Sequence, residues 1–293
     1  MNPGTDQRML KISTLAAAVA LVLPNLLGAA AQAKSASTWP TQVNALYSLH
    51  FTGFGELGKF KFNSQIMGDT YTIDGSADVK VPLIYTWSTK LNGSGTLTSE
   101  DPAPATYTFN SHGKPVIGGA KTLGIRLGFK DQAVNLLSVV PPGSSGGANF
   151  VPIKPEHLKN IIDPLTAIMM TTRDKGGSPC GRRLPIFDGK QRFDLLTTSA
   201  GQQKVPETRP SGQPQIGFVC RVRYVPVAGY KDTEDMRNMV NNSTAEIALR
   251  PVPSANLLVP YRITVSTKWG TATMLLKRMD IVTPEQKQIA LVH

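Results

Sequence analysis

From Ala45 to Val140 apolar and polar residues alternate with a period of two, and turn-forming residues interrupt the alternation at short intervals. Nothing else in the chain restricts its fold as much, because this rhythm belongs to antiparallel strands with one buried and one wet face. The clearest strand is Lys121 to Lys130, where Leu123, Ile125, Leu127 and Phe129 share one face and Thr122, Gly124, Arg126 and Gly128 the other. The same alternation runs through Phe60, Phe62, Ser64 and Ile66, through Tyr71 and Ile73, and through Tyr107 and Phe109. Gly68-Asp69, Asp74-Gly75, Asn92-Gly93 and His112-Gly113 read as the separating turns of a meander. The 26 Gly and 22 Pro favour many turns over long helices, and 41% hydrophobic residues suffice for a folded core.

Pro141 to Gly147 breaks the pattern, and the period then changes. Leu158, Ile161, Ile162 and Leu165, then Leu165, Ile168, Met169 and Thr172, fall at helical spacing. Pro155 suits a first-turn position, and Asp163-Pro164 is an N-cap and first-position pair, so the spacing predicts two short helices or one kinked at Pro164. Gly176-Gly177 ends them. Strands return with Arg182 to Phe187 and Lys190 to Thr198 around Asp188-Gly189, a dipeptide favoured in two-residue hairpin turns. Gly201 to Gln213 reads as a polar excursion, Ile216 to Val227 as a strand, and Asp232 to Val240 as a short helix. Tyr261 to Lys268 and Thr271 to Arg278 form a last hairpin, and the tail from Thr283 packs as a short helix or frays. The expected fold is mainly β: an antiparallel meander forming a curved open barrel or β-spiral, packed on one or two short central helices.

The first 33 residues read as a secretory signal. Arg8 and Lys11 supply the charged start, Leu15 to Leu23 the apolar run, and Ala31-Gln32-Ala33 a small-residue site with cleavage expected after Ala33. The apolar run ends at Pro24, far short of the roughly 20 residues a spanning helix needs, so no transmembrane anchor is expected after processing. A lipid-modified signal needs a cysteine next, and Lys34 stands there. Removing 33 of the 293 residues leaves 260, read as one mature domain, 34–293, with a first meander over 45–140, a loop and helical middle over 141–178, and a second β half over 179–283. The expected location is the periplasm. Cys180 and Cys220, an even pair in an exported chain, are expected to form one disulfide. Closing a loop of that length contributes roughly 4 kcal/mol in the chain-entropy model.

The formal charge of +11 becomes +10 when Arg8, Lys11 and Asp6 leave together. In an envelope compartment the anionic partners of such a surface are phospholipid heads, lipopolysaccharide phosphates and acidic glycans, and nucleic acid is not expected. His50, His112, His157 and His293 lack ligand spacing, so no metal or other cofactor is expected. Gly143-Ser144-Ser145-Gly146-Gly147 matches the nucleophile-elbow pattern, but Pro141-Pro142 precede it where a strand is required, and it reads as a loop. Nothing points to an enzyme. Leu165, Ile168 and Met169, with Met170 beside them, read either as plain core or as an adaptable floor for an apolar ligand. Arg182 and Arg183, near Cys180, and Arg221 and Arg223, after Cys220, read either as a solvated face or as anion contacts.

Asp163-Pro164-Leu165-Thr166-Ala167, Phe187-Asp188-Gly189, Cys220 with Pro226 and Gly229, Pro260-Tyr261-Arg262-Ile263 and Trp269-Gly270 occur in that order. The series resembles domain-of-unknown-function family 3108 of proteobacterial envelope proteins, over roughly Leu46 to Met279. The resemblance implies an exported β protein and brings no catalytic residues. A looser likeness to β-spiral envelope-integrity proteins and lipoprotein carriers implies a curved open sheet wrapped over a helix. Two functions follow as expectations: a non-enzymatic carrier of an apolar envelope molecule, such as a lipid or lipoprotein, or a structural or protein-interaction role in the envelope with no ligand.

Overall fold

The computed structural model describes residues 39–98, 101–142, 146–242 and 244–293. The expected signal through Ala33 and the Gly143-Ser144-Ser145 part of the elbow-like string lie outside these residues. Seven strands follow one another as hairpins: β1 (Gln42–Phe51), β2 (Gly55–Met67), β3 (Thr70–Val81), β4 (Tyr85–Thr98), β5 (Asp101–Pro115), β6 (Lys121–Lys130) and β7 (Ala133–Val140). Their registers carry one row straight across the sheet, since Ser64, Ile73, Gly93, Tyr107 and Leu127 are successive cross-strand partners. Ile73, Tyr107 and Leu127 in this row are buried, which identifies the inner face.

Three of the expected turns are strand interiors. Asp74-Gly75 lies within β3, Asn92-Gly93 within β4 and His112-Gly113 within β5. The physical reason is close packing over the missing side chains. A Cβ on Gly75 would lie 3.3 Å from Leu91 and 3.4 Å from Phe60, one on Gly93 would lie 3.2 Å from Leu165, and one on Gly113 would overlap Tyr85. Gly68-Asp69 is the turn it was read to be, between β2 and β3.

After β7 come β8 (Phe150–Val151), a 3-10 turn at Pro155–Leu158, and α1 (Pro164–Thr172). The helical stretch is therefore two pieces. Asp163 caps α1 by accepting the N–H of Leu165 at 2.8 Å and of Thr166 at 3.1 Å. The second half comprises β9 (Arg183–Phe187), β10 (Arg192–Lys204), β11 (Ile216–Ala228), β12 (Tyr230–Lys231), α2 (Glu234–Asn242), β13 (Thr244–Val252), β14 (Leu257–Thr267), β15 (Gly270–Val282) and β16 (Gln288–Val292). The Asp188-Gly189 turn is longer than two residues. Phe187 pairs with Arg192, and the Asp188 carboxylate accepts the N–H groups of Lys190 and Gln191, so an Asx-type turn replaces the tight hairpin. The tail is a strand: β16 pairs with the distal part of β15, where β14 has turned away.

All main strands belong to one sheet, ordered β7-β6-β5-β4-β3-β2-β1-β15-β14-β13-β11-β10-β9, while β8 and β12 pair separately. The sheet is curved and does not close into a barrel. A short extended strap, 159–162, bridges its two edges instead. Asn160 donates its N–H to Gln132 beside β7 (2.8 Å), Ile162 donates to Pro185 of β9 (2.9 Å), and Phe187 donates to Ile162 (3.0 Å). The disulfide Cys180–Cys220, with Cα atoms 5.5 Å apart, ties the loop after α1 to the middle of β11.

Candidate functional site

Helix α1 is apolar on every side, as befits a helix enclosed by a sheet, and its two flanks meet different surroundings. On one flank Leu165, 1% exposed, rests on Gly93 of β4. Beside it the Thr166 hydroxyl bonds the Tyr71 hydroxyl at 2.8 Å and donates to the Asp163 carboxylate. Burial pushes the Asp163 carboxyl up, against the opposing pull of its hydrogen bonds from Thr166 and Leu165.

The other flank faces a cavity of about 820 Å3, and Ile168, Met169 and Thr172 form its helical side. Its walls are mostly apolar, with Arg221, Arg223 and Glu246 also among the lining residues. Tyr47, Phe60 and Ile66 come from β1 and β2, Leu184, Phe193 and Tyr224 from β9 to β11, and Ile263 and Met274 from β14 and β15. Trp39 also lines it, with the Arg173 guanidinium 4.9 Å over its ring. Met239 and Val240 of α2 complete the lining. Burial raises the Tyr47 phenol, and burial, helped by Asp188 and Tyr230, pushes Tyr224 up to about 12, so both phenols are neutral. Tyr224 donates to Gln191 at 2.8 Å. This is a surface suited to hydrocarbon.

The sequence-derived residues are distributed as follows. Ile168 and Met169 line the cavity, whereas Leu165 does not, being spent on β4. Arg182 donates to the Met170 carbonyl and, at 3.0 Å, to the Arg173 carbonyl, completing the C-terminal end of α1. Arg183 pairs with Asp194 at 2.6 Å, and Arg192 reaches the other oxygen of that carboxylate at 2.7 Å. Arg221 and Arg223 are exposed on β11 and, with Val222 and Tyr224, are among the residues that line the cavity. Arg182 and Arg183 are not among the cavity's lining residues, so the four guanidiniums are divided between two places.

Sequence reasoning missed the far wall, Phe193, Tyr224 and Ile263, because no period reveals which strands face each other across a helix. It also missed α2 as a lining element. Met236, Met239 and Val240 stand at i, i+3 and i+4, a signal that was available. A second depression, about 710 Å3, is lined by Lys204, Glu207, Tyr261, Arg262, Lys277 and His293 and is mixed in polarity. Among the described residues no group of three or more His, Cys, Asp or Glu side chains could hold a metal ion, and no helix is long and apolar enough to cross a membrane.

Fold and cavity together define a curved, open antiparallel β protein wrapped on an internal helix. The chain belongs to the family described as "Protein of unknown function (DUF3108)", whose model matches residues 46–277. Among solved structures it is similar to a β-barrel-like protein of domain of unknown function DUF1849 from Brucella abortus. That likeness has 12% identity and a TM-score of 0.49, and covers 83% of this chain and 98% of the other. No curated protein matches the sequence.

Proposed function

We propose that this chain is a non-enzymatic periplasmic cell-envelope protein that holds the apolar part of an envelope molecule, a lipid or lipoprotein, in the cavity beside α1. The observation that carries the reading is the cavity itself. At about 820 Å3 it is several times the roughly 150 Å3 apolar cavity that accepts benzene, and it falls within the roughly 300–1,000 Å3 of small-molecule sites. Each methylene buried there contributes about 0.8 kcal/mol, so an acyl chain binds usefully without a charged anchor. The signal-like first 33 residues and the Cys180–Cys220 bond support an oxidising compartment.

Native mass spectrometry of gently purified protein tests this. The expected result is co-purified lipid that is lost when Met169→Trp fills the cavity, with the melting temperature retained. Lipid-free parent protein that also takes up no phospholipid when offered it would overturn the proposal. A ligand-free interaction role is the competing reading. What favours it is β7, an edge strand with Leu136 and Leu137 exposed.

A further inference from the structure

Antiparallel pairing places alternate turns at the same end of the sheet. The turns at Thr52-Gly53-Phe54, Pro82-Leu83-Ile84 and 116–120 lie together for that reason, and the Phe51–Ala272 pairing adds the Lys268-Trp269 turn to them. Hydrogen bonds join neighbouring tips, from Val116 N–H to the Ile84 carbonyl at 3.0 Å and from Thr52 N–H to the Thr271 carbonyl at 3.1 Å. Turn tips are ordinarily polar, and among the described residues those at the other end of the sheet include Gly68-Asp69, Asp131-Gln132 and 283–287, with Met67 exposed beside the first. The tips at this end expose Phe54, Leu83, Ile84, Val116, Ile117 and Trp269, with Leu83 at 92%, Ile117 at 91% and Trp269 at 77%. Single exposed apolar residues need no explanation, but four separate turns presenting them at one end do. Leu83 is the sharpest case. It sits at φ +60°, a conformation that strains a bulky side chain, and gains no packing in return.

Lysines frame these tips. Lys80, Lys114 and Lys121 are exposed and without an ion-pair partner among the described residues, while Lys268 lies 4.9 Å over the Trp269 ring and 3.6 Å from Asp235. The other acidic groups at this end include Asp78, exposed two residues from Lys80, Asp232, which pairs with Arg237, and Glu56, which lies 4.0 Å from His50. Glu234 opens α2. Apolar tips with tryptophan, flanked by lysine, suit the boundary between acyl chains and anionic head groups.

We propose that this end of the sheet docks on an anionic lipid bilayer, with the turn tips entering the head-group layer and the lysines over the phosphates. The Thr244–Ser266 pairing puts α2 at the same end, so the cavity-lining Met239 and Val240 lie beside the docking surface. The inference rests on the turns and not on the cavity, so it stands or falls apart from ligand binding.

Flotation with vesicles of equal phosphatidylglycerol and phosphatidylcholine tests it, together with tryptophan emission. The expected results are co-flotation, a blue shift that disappears in Trp269→Ser, and binding about tenfold weaker or worse when Leu83→Ser and Ile117→Ser are combined. Met67→Ser, an exposed side chain at the opposite end (70%), should bind as the parent does. Pure phosphatidylcholine, or salt raised from about 0.1 M to 1 M, which shortens the screening length from about 10 Å to 3 Å, should release most of the protein. Absence of flotation, flotation indifferent to the tip substitutions, equal loss in Met67→Ser, or tip-dependent self-association without vesicle binding would each overturn the proposal.

Discussion

On the side of β4 and β5, α1 is seated without a gap, with Leu165 against Gly93 and Thr166 bonded to Tyr71, while on the side of β9 to β11 and β13 to β15 the same helix looks into about 820 Å3. The difference lies in the residues that face the helix. The first wall has glycine at position 93, which lets β4 and the helix approach closely. The second wall presents Phe193, Tyr224, Ile263 and Met274, and register shifts between Ala248 and Leu249 and between Ser199 and Gln202 bend it locally. It meets the helical region through Ala167 packed against Leu184 and Ile186, through the disulfide and through Arg182, and leaves the remaining space open. One helix thus has a structural flank and a flank open to a guest.

The largest effect should come from charging the closed flank. Leu165→Asp places an unpaired carboxylate against β4 and is expected to cost more than about 4 kcal/mol, whereas Ile168→Asp, on the open flank, should cost about 1–2 kcal/mol. Urea unfolding of the two variants measures the contrast, and equal losses would show both flanks to be packed alike. Next in size is the polar clasp outside the second wall. Arg250, with no exposure, pairs with Glu207 and donates to Ser211 at 3.1 Å, to Gln213 at 3.1 Å and to Pro214 at 3.0 Å. Glu207→Gln leaves that guanidinium buried without its countercharge and should cost about 3 kcal/mol. Burial pushes the Glu207 carboxyl up, but the Arg250 guanidinium and the Ser211 hydroxyl outweigh it and hold the group below its ordinary value of 4.5. A depressed carboxyl stabilises the fold above that value and loses its contribution as pH falls through the folded value. The stability gap between parent and Glu207→Gln should therefore shrink below pH 4.5 and stay constant above it.

Much of this architecture was legible from local pattern. Period-two alternation located the strands of the first half, because one face of each is wet, and Asp163-Pro164 marked the start of α1 through its capping chemistry. Glycine misled where it serves packing: Gly75, Gly93 and Gly113 look like turn residues, and only the positions of Phe60, Leu165 and Tyr85 above them reveal why they are small. The same limit applies to the cavity. Ile168 and Met169 stood out by helical spacing, but Leu165 carries the same spacing and faces the sheet. Arg182 and Arg183 looked free in the sequence because their partners, two carbonyls and Asp194, are set by tertiary structure.

The two smallest effects set the flanks directly against each other. On the closed flank, Gly93→Ala adds a single carbon whose nearest neighbours are Leu165 Cδ1 at 3.2 Å and Leu165 Cβ at 3.5 Å. Leu165 is fully enclosed and cannot yield, so the added methyl should cost about 1–2 kcal/mol, less what replacing a strand glycine returns. On the open flank, Ile168→Phe adds an aromatic ring toward the cavity, where it meets empty volume and the apolar walls of Phe193 and Ile263. In a filled core such an enlargement costs roughly 1–3 kcal/mol. Beside an open cavity the gained apolar contact offsets the lost rotamer freedom, and stability should stay within about 0.5 kcal/mol of the parent or rise. Thermal unfolding of ligand-stripped protein decides it: one carbon on β4 should hurt more than a phenyl ring on the other side of the same helix. A larger loss from Ile168→Phe than from Gly93→Ala would mean that the second wall closes on α1 in solution.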